Sequence, residues 1–319
     1  MYNIEYSNSI KKNIFRHSLY IGLAMLIAVG IQFLFSAVTS SVLIFFGYSY
    51  SEILNFYTDV WSGYFINSLG LALISTLPFI VLKPINNRLV YQICSFNSPK
   101  KGLVLPCVIF VLGGAMIANI VTSNVVYFLQ EFFGFEAVQG SIGDNSFNSP
   151  LEFVYTVVCA ALVPALFEEF AFRGMIMGSL RKFGDMFAVV VSALLFALYH
   201  GNFIQIPFAF IVGILLGLIF VITDSIWPAV IAHFINNTFS VTANSLSADY
   251  PIFVSKLFLL IIFCGIIALV VLVKKKAFSN IERKTTVLSG KSKFFRMLSS
   301  PTIIIYFVIM IVMALMNKA

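Results

Sequence analysis

The chain has 319 residues, 60% of them apolar and only 10% charged. Soluble domains carry about 25% charged residues, so a soluble globular protein is excluded, and no stretch is polar enough for a separate soluble domain. The net charge of +7 does not point to nucleic acid, because the basic residues cluster at the ends of apolar runs, where membrane orientation needs them.

In chain order, the first 16 residues are polar, and the apolar run that follows, 19–47, is far longer than a signal-peptide core. It reads as an uncleaved first span. Further runs lie near 62–82, 103–130, 151–179, 186–200, 206–223, 226–245, 253–273 and 301–317. A helix needs about 20 apolar residues to cross the hydrocarbon core. The runs are continuous rather than alternating, which excludes a closed β-barrel. The expected fold is all-α: a polytopic transmembrane helical bundle of about nine spans (eight to nine, the fifth and seventh being weakest by hydropathy) with a catalytic core of four helices. The expected organisation is three N-terminal helices in 1–150, a core in 151–243, and two C-terminal helices with a basic cytoplasmic loop in 244–319. Cys94, Cys107, Cys159 and Cys264 lack CxxC spacing, so neither a zinc knuckle nor a disulfide framework is supported.

Basic residues set the orientation. Lys11, Lys12 and Arg16 precede the first span, Lys83, Arg88, Lys100 and Lys101 follow the second, and Arg181 and Lys182 follow the fourth. Lys274, Lys275, Lys276, Arg283, Lys284, Lys291, Lys293 and Arg296 separate the eighth from the ninth. The alternate loops hold only acids, Glu52 and Asp59 and then Glu131, Glu136 and Asp144, or no charge. If every span crosses, all basic clusters fall on one side. The expectation is a multi-pass protein of the cell membrane with its N-terminus cytoplasmic.

Few ionisable residues lie deep in these runs. Glu168, Glu169 and Arg173 share the fourth, His200 ends the fifth, and His233 lies in the seventh with Asn237 one turn on. Each buried carboxylate costs on the order of 3 kcal/mol at a helix centre. Adjacent helical residues point about 100° apart, so Glu168 and Glu169 serve different points. Glu169 and Arg173 stand at i, i+4 with the acid N-terminal, the better order for an ion pair. Position 172 is Phe, which leaves Glu168 without a local partner and makes it the natural general base. Alone, each histidine reads more readily as a hydrogen-bonded interhelical contact, and depth tests them together. From the Arg181–Lys182 turn, Glu168 lies roughly 20 Å back and His200 roughly 27 Å forward. His233 and Asn237 lie roughly 10 and 17 Å from the same face on the seventh span. Three helices can therefore bring these groups into one layer.

On these residues the chain resembles the CPBP (CAAX protease and bacteriocin-processing, or Abi) family of intramembrane endopeptidases. EExxxR is present as Glu168, Glu169 and Arg173, followed by Gly174; FxxxH as Phe196 and His200; and HxxxN as His233 and Asn237, after Ser225-Ile226-Trp227-Pro228. The matching region, 151–243, is under a third of the chain. The resemblance implies hydrolysis of a peptide bond at the membrane, in a prenylated or hydrophobic peptide or protein. Glu168 and His200 would hold and activate the water. Glu169 and Arg173 would form the supporting ion pair, and His233 with Asn237 would orient or stabilise the oxyanion. No cofactor is expected. Zinc is the alternative, since Glu168, His200 and His233 are of the right ligand types, but HExxH is absent and Asn is a poor zinc ligand. The expected partners are membrane lipids and a membrane-associated peptide or protein substrate.

The rival from another class is a non-catalytic bacteriocin-immunity or scaffold protein that keeps the constellation as structure. An ion-coupled transporter would need inverted repeats with broken helices, and no such pair is found. Gly213 and Gly217 form a small-xxx-small pattern, which packing explains. The Asn236-Asn237-Thr238 sequon lies inside a span and is dismissed. The basic 274–300 segment reads as a cytoplasmic loop on anionic headgroups.

Overall fold

A computed structural model describes residues 2–81, 94–133, 147, 149–281 and 288–316. Lys83, Arg88, Glu136, Asp144, Arg283 and Lys284 lie outside the described residues. Among those described, helices and short turns account for the ordered structure and no strand occurs. The elements are α1 (Tyr2–Phe45), α2 (Tyr50–Thr58), α3 (Val60–Val81), α4 (Val104–Phe133), and the long α5 (Pro150–Phe183). They continue with α6 (Asp185–Tyr199), α7 (Gln205–Thr223), α8 (Trp227–Ser247), α9 (Pro251–Lys274), α10 (Gly290–Leu298) and α11 (Pro301–Met316).

The helix ends follow from local chemistry. Ser49 and Glu52 form a reciprocal capping box at the start of α2, satisfying two amide donors that a helix start leaves free. Ser149 accepts from Glu152 N ahead of Pro150 at the start of α5. Gly184, at φ +127°, turns α5 into α6, a conformation that L side chains rarely adopt. Pro228 and Pro251 sit in the first turns of α8 and α9, where the missing N–H costs nothing.

Among the described residues, six helices are long and apolar enough to cross a membrane: α1, α3, α4, α5, α7 and α9. The pair α10 and α11, bent by 78°, makes a seventh if it is one span. Length and composition therefore give six to seven spans rather than the expected nine. The shortfall has physical causes. The expected fifth span is α6, whose 15 residues extend only about 22 Å. The expected seventh is α8, which trades apolar residues for His233, Asn236, Asn237 and Asn244.

Two packed cores hold the bundle. One joins α1, α5, α6 and α11 through residues such as Ile14, Met25, Phe172, Leu195 and Tyr306. The other joins α4, α7, α8 and α9 through Val111, Leu216, Ala232 and Leu272. Helix α5 contacts α3, α6 and α8, so the segment with the acidic pair is walled by helices. Small residues allow the closest approaches. A Cβ built on Gly213 would sit 3.1 Å from Ala193 Cα, and one on Gly217 3.2 Å from Val189 Cγ1. The small-xxx-small pattern thus seats α7 on α6.

Candidate active site

Helix α5 is not regular. Its hydrogen bonding switches to π-type at Val158–Leu162 and again at Phe170–Met177, with α-helical Val163–Glu169 between them. Glu168 and Glu169 are therefore the last two residues before the second π segment, and Arg173 lies within it. Such insertions are concentrated at functional sites. Neighbouring helices support this one. The Phe172 carbonyl accepts from Ser192 Oγ of α6 at 2.7 Å. Gly174 leaves room for Cys94, whose Sγ would meet an added Cβ at 2.7 Å.

The Glu169 and Arg173 side chains are fully buried and pair at 2.8 Å between Oε1 and Nη1. The guanidinium also donates to Gly213 O at 3.4 Å and lies over the Phe196 ring, 4.4 Å from its centroid. His233, 5% exposed, reaches across from α8 to the same carboxylate, with Nδ1 2.8 Å from Glu169 Oε1. Its Nε2 lies 3.8 Å from Glu168 Oε2, too long for a direct hydrogen bond. One imidazole therefore stands between two carboxylates.

Hydrogen-bond chemistry fixes the ring tautomers. Glu169 Oε1 accepts from Arg173 Nη1, so His233 Nδ1 donates to the same oxygen and a neutral ring keeps its lone pair on Nε2, facing Glu168. His200 follows the same logic. Its Nδ1 lies 2.9 Å from Phe196 O, a carbonyl that can only accept, so a neutral His200 also keeps its lone pair on Nε2.

The structure brings Glu168, Glu169, Arg173 and His233 together directly. His200 joins through Phe196, whose ring lies 4.8 Å from the His200 ring, 5.9 Å from His233 and 5.2 Å from Phe172. No bond joins Glu168 to His200; the nearer imidazole to Glu168 is His233. Asn237 is half-buried, and its Oδ1 accepts from Asn236 Nδ2 at 3.3 Å. Of the two asparagines it is Asn236 that is buried, with Oδ1 unpartnered. Tyr199 packs against Phe172 at 5.5 Å. Motif reading passed over Tyr199 and Asn236, although each adjoins a motif residue. Among the described residues, no three His, Cys, Asp or Glu side chains converge as a bound metal ion would require.

Residues 150–239 match the family model described as type II CAAX prenyl endopeptidase Rce1-like. That segment holds all seven motif residues. Residues 150–239 are thus similar to the CAAX protease (CPBP) family. A relative is the membrane-embedded CAAX protease MroQ of Staphylococcus aureus (strain USA300), 32% identical over 96 residues. The match covers 28% of this chain and 39% of that relative. No solved structure matches the chain.

Proposed function

We propose that the chain is an intramembrane endopeptidase that hydrolyses a peptide bond of a prenylated or hydrophobic membrane-associated peptide or protein. The observation that carries this reading is the His233 imidazole held between Glu169 and Glu168, with Arg173 locking Glu169. Arg173 holds Glu169 in place, Glu169 sets the imidazole, and Glu168 is left free of any ion pair as short as theirs. A carboxylate so placed is suited to general-base work.

Glu168 takes a proton from a water, whose oxygen adds to the scissile carbonyl carbon. The Nε2 lone pair of His200 accepts the water's other hydrogen and aims it. The oxyanion that forms receives a hydrogen bond from the Asn237 amide, with His233 beside it orienting the site. Collapse of the tetrahedral intermediate breaks the C–N bond, and the proton held by Glu168 passes to the leaving amine. The chemistry needs no cofactor. Activity should accordingly persist in metal-stripped protein with chelator present, and its loss, restored by zinc alone, would transfer the role to a metal. We place the enzyme in the cell membrane with its N-terminus cytoplasmic, on the strength of the basic loops.

The test compares wild type with Glu168→Gln and His200→Ala on membrane-anchored peptides. Removal of a general base costs on the order of 10²–10⁴-fold in rate. Variants that both cleave as well as wild type would sink the reading. A wild type that binds the peptides without cleaving them would favour the immunity or scaffold role.

A further inference from the structure

Helix α10 lies apart from the CAAX-type core and has a partner of its own to account for. Ser289 caps it, and its nine residues, GKSKFFRML, place Phe294 and Met297 toward the bundle and Lys291 toward the outside. The 78° bend to α11 suits a helix lying along the membrane surface beside a crossing one. The Arg296 guanidinium stacks over Phe15 at 4.5 Å and donates to Lys11 O at 3.3 Å, which fixes α10 to the start of α1.

Between α10 and the turn joining α5 to α6 is a cavity of 540 Å³. One wall is cationic, with Lys291, Lys293 and the helix start at Gly290; the other is apolar, with Met186, Phe187 and Val190. Lys293 is only 6% exposed. Its ammonium donates to Phe183 O at 2.7 Å, and among the described residues no carboxylate lies within ion-pair distance of it. Asp185 lines the same cavity, but Arg181 neutralises it at 2.9 Å. A buried ammonium has three donors and needs counter-charge; this one has a single carbonyl and an open cavity at its side.

We propose that this cavity binds an anionic phospholipid, the phosphate lodging against Lys291, Lys293 and the α10 N-terminus while the upper acyl chain lies on Met186, Phe187 and Val190. Charge complementarity and the apolar wall together select a lipid over a soluble anion, and the positive end of the α10 dipole adds to the attraction. The site holds the turn between Arg173 and His200, so an occupied cavity braces the junction of α5 and α6. It is independent of the proteolytic reading.

Purified full-length protein in a zwitterionic detergent tests this without any protease assay. Phosphatidylglycerol, phosphatidylcholine and inorganic phosphate are each titrated, with the thermal midpoint and lipid retained in native mass spectra as readouts. Phosphatidylglycerol should raise the midpoint and be retained, and phosphatidylcholine should do neither. Lys291→Glu, an exposed change that leaves packing intact, should weaken phosphatidylglycerol binding by about tenfold. Lys293→Met should do the same, while Lys256→Glu, on an exposed position of α9, should bind as wild type. Equal binding of both lipids overturns the proposal, as does undiminished binding by Lys291→Glu. A midpoint shift with inorganic phosphate equal to that with the lipid assigns the cavity to a soluble anion and overturns it too.

Discussion

His233 Nδ1 and Glu169 Oε1 are 2.8 Å apart, and the same oxygen takes Arg173 Nη1 at 2.8 Å. One carboxylate oxygen thus ties α8 to α5 and neutralises a fully buried guanidinium. This explains why the acidic pair is asymmetric. Glu169 is consumed by structure, and Glu168 meets the imidazole only at its far nitrogen, across 3.8 Å.

Glu169→Gln should therefore cost more than a lost hydrogen bond. It leaves the Arg173 charge buried without its counter-charge, a change worth about 3–5 kcal/mol. Yield and thermal midpoint in detergent should both fall. Adding Arg173→Met removes the orphaned charge and should recover part of the loss. A Glu169→Gln protein as stable as wild type would place this residue in the chemistry instead.

Phe196 is the shared floor of the site, touched by Arg173, His200, His233 and Phe172. Truncation to Ala should destabilise by about 3–5 kcal/mol through the cavity alone and release both histidines. Phe196→Leu fills most of the volume but has no π face for the guanidinium. It should be the more stable of the two and still lose activity relative to wild type. Equal stability for Leu and Ala would mean that packing at Phe196 counts for little.

The parts legible in the sequence are those written in local spacing. Apolar runs mark helices, and the i, i+4 step from Glu169 to Arg173 yields their pairing. The π segments flanking Glu168 were not legible, because one extra residue in a turn leaves no trace in composition or hydropathy. The His233–Glu169 bond depends on how α8 is rotated against α5, and spacing within either helix is silent on that. Depth arithmetic placed His200 and His233 in one layer with Glu168, yet depth has no azimuth, so it was silent on the 3.8 Å approach of His233 Nε2 to Glu168. Helix α10 passed as loop because four of its nine residues are charged or serine, and only Phe294 and Met297 hint at a buried face.

Close approach of α4 and α9 rests on two glycines. A Cβ built on Gly113 would lie 2.6 Å from Gly265 Cα, and the reverse holds equally. Because backbone meets backbone there, no side chain can yield. Gly113→Ala should lower stability by about 1–3 kcal/mol and part the two helices. Gly30→Ala, with nothing within 4 Å of the new methyl, should be neutral or mildly stabilising, since Ala is the better helix former. Thermal unfolding of the two variants beside wild type decides it: equal effects would remove backbone contact as the cause.

Asp59 immediately precedes the first residue of α3. Its Oδ2 accepts from Trp61 N at 2.9 Å, Ser62 N at 3.0 Å and Ser62 Oγ at 3.1 Å, capping the helix start. The Ser62 amide foremost holds this carboxyl below the usual aspartate value; burial, next in size, opposes it, and the Ser62 hydroxyl and the Trp61 amide add to the lowering. A folded value below the unfolded one means that the unfolded chain takes up the proton first. The stabilisation is then fully present above the ordinary value of about 3.9 and fades as pH falls through the lower folded value. Asp59→Asn keeps an acceptor and removes the titration, whereas Asp59→Ala removes the cap at a cost of about 1 kcal/mol. The difference in thermal midpoint between wild type and Asp59→Asn should accordingly be constant from about pH 7 to pH 5 and shrink toward pH 3. Taking the difference cancels every other titrating group, so a gap that stays constant down to that pH would mean that the Asp59 charge contributes nothing to holding α3.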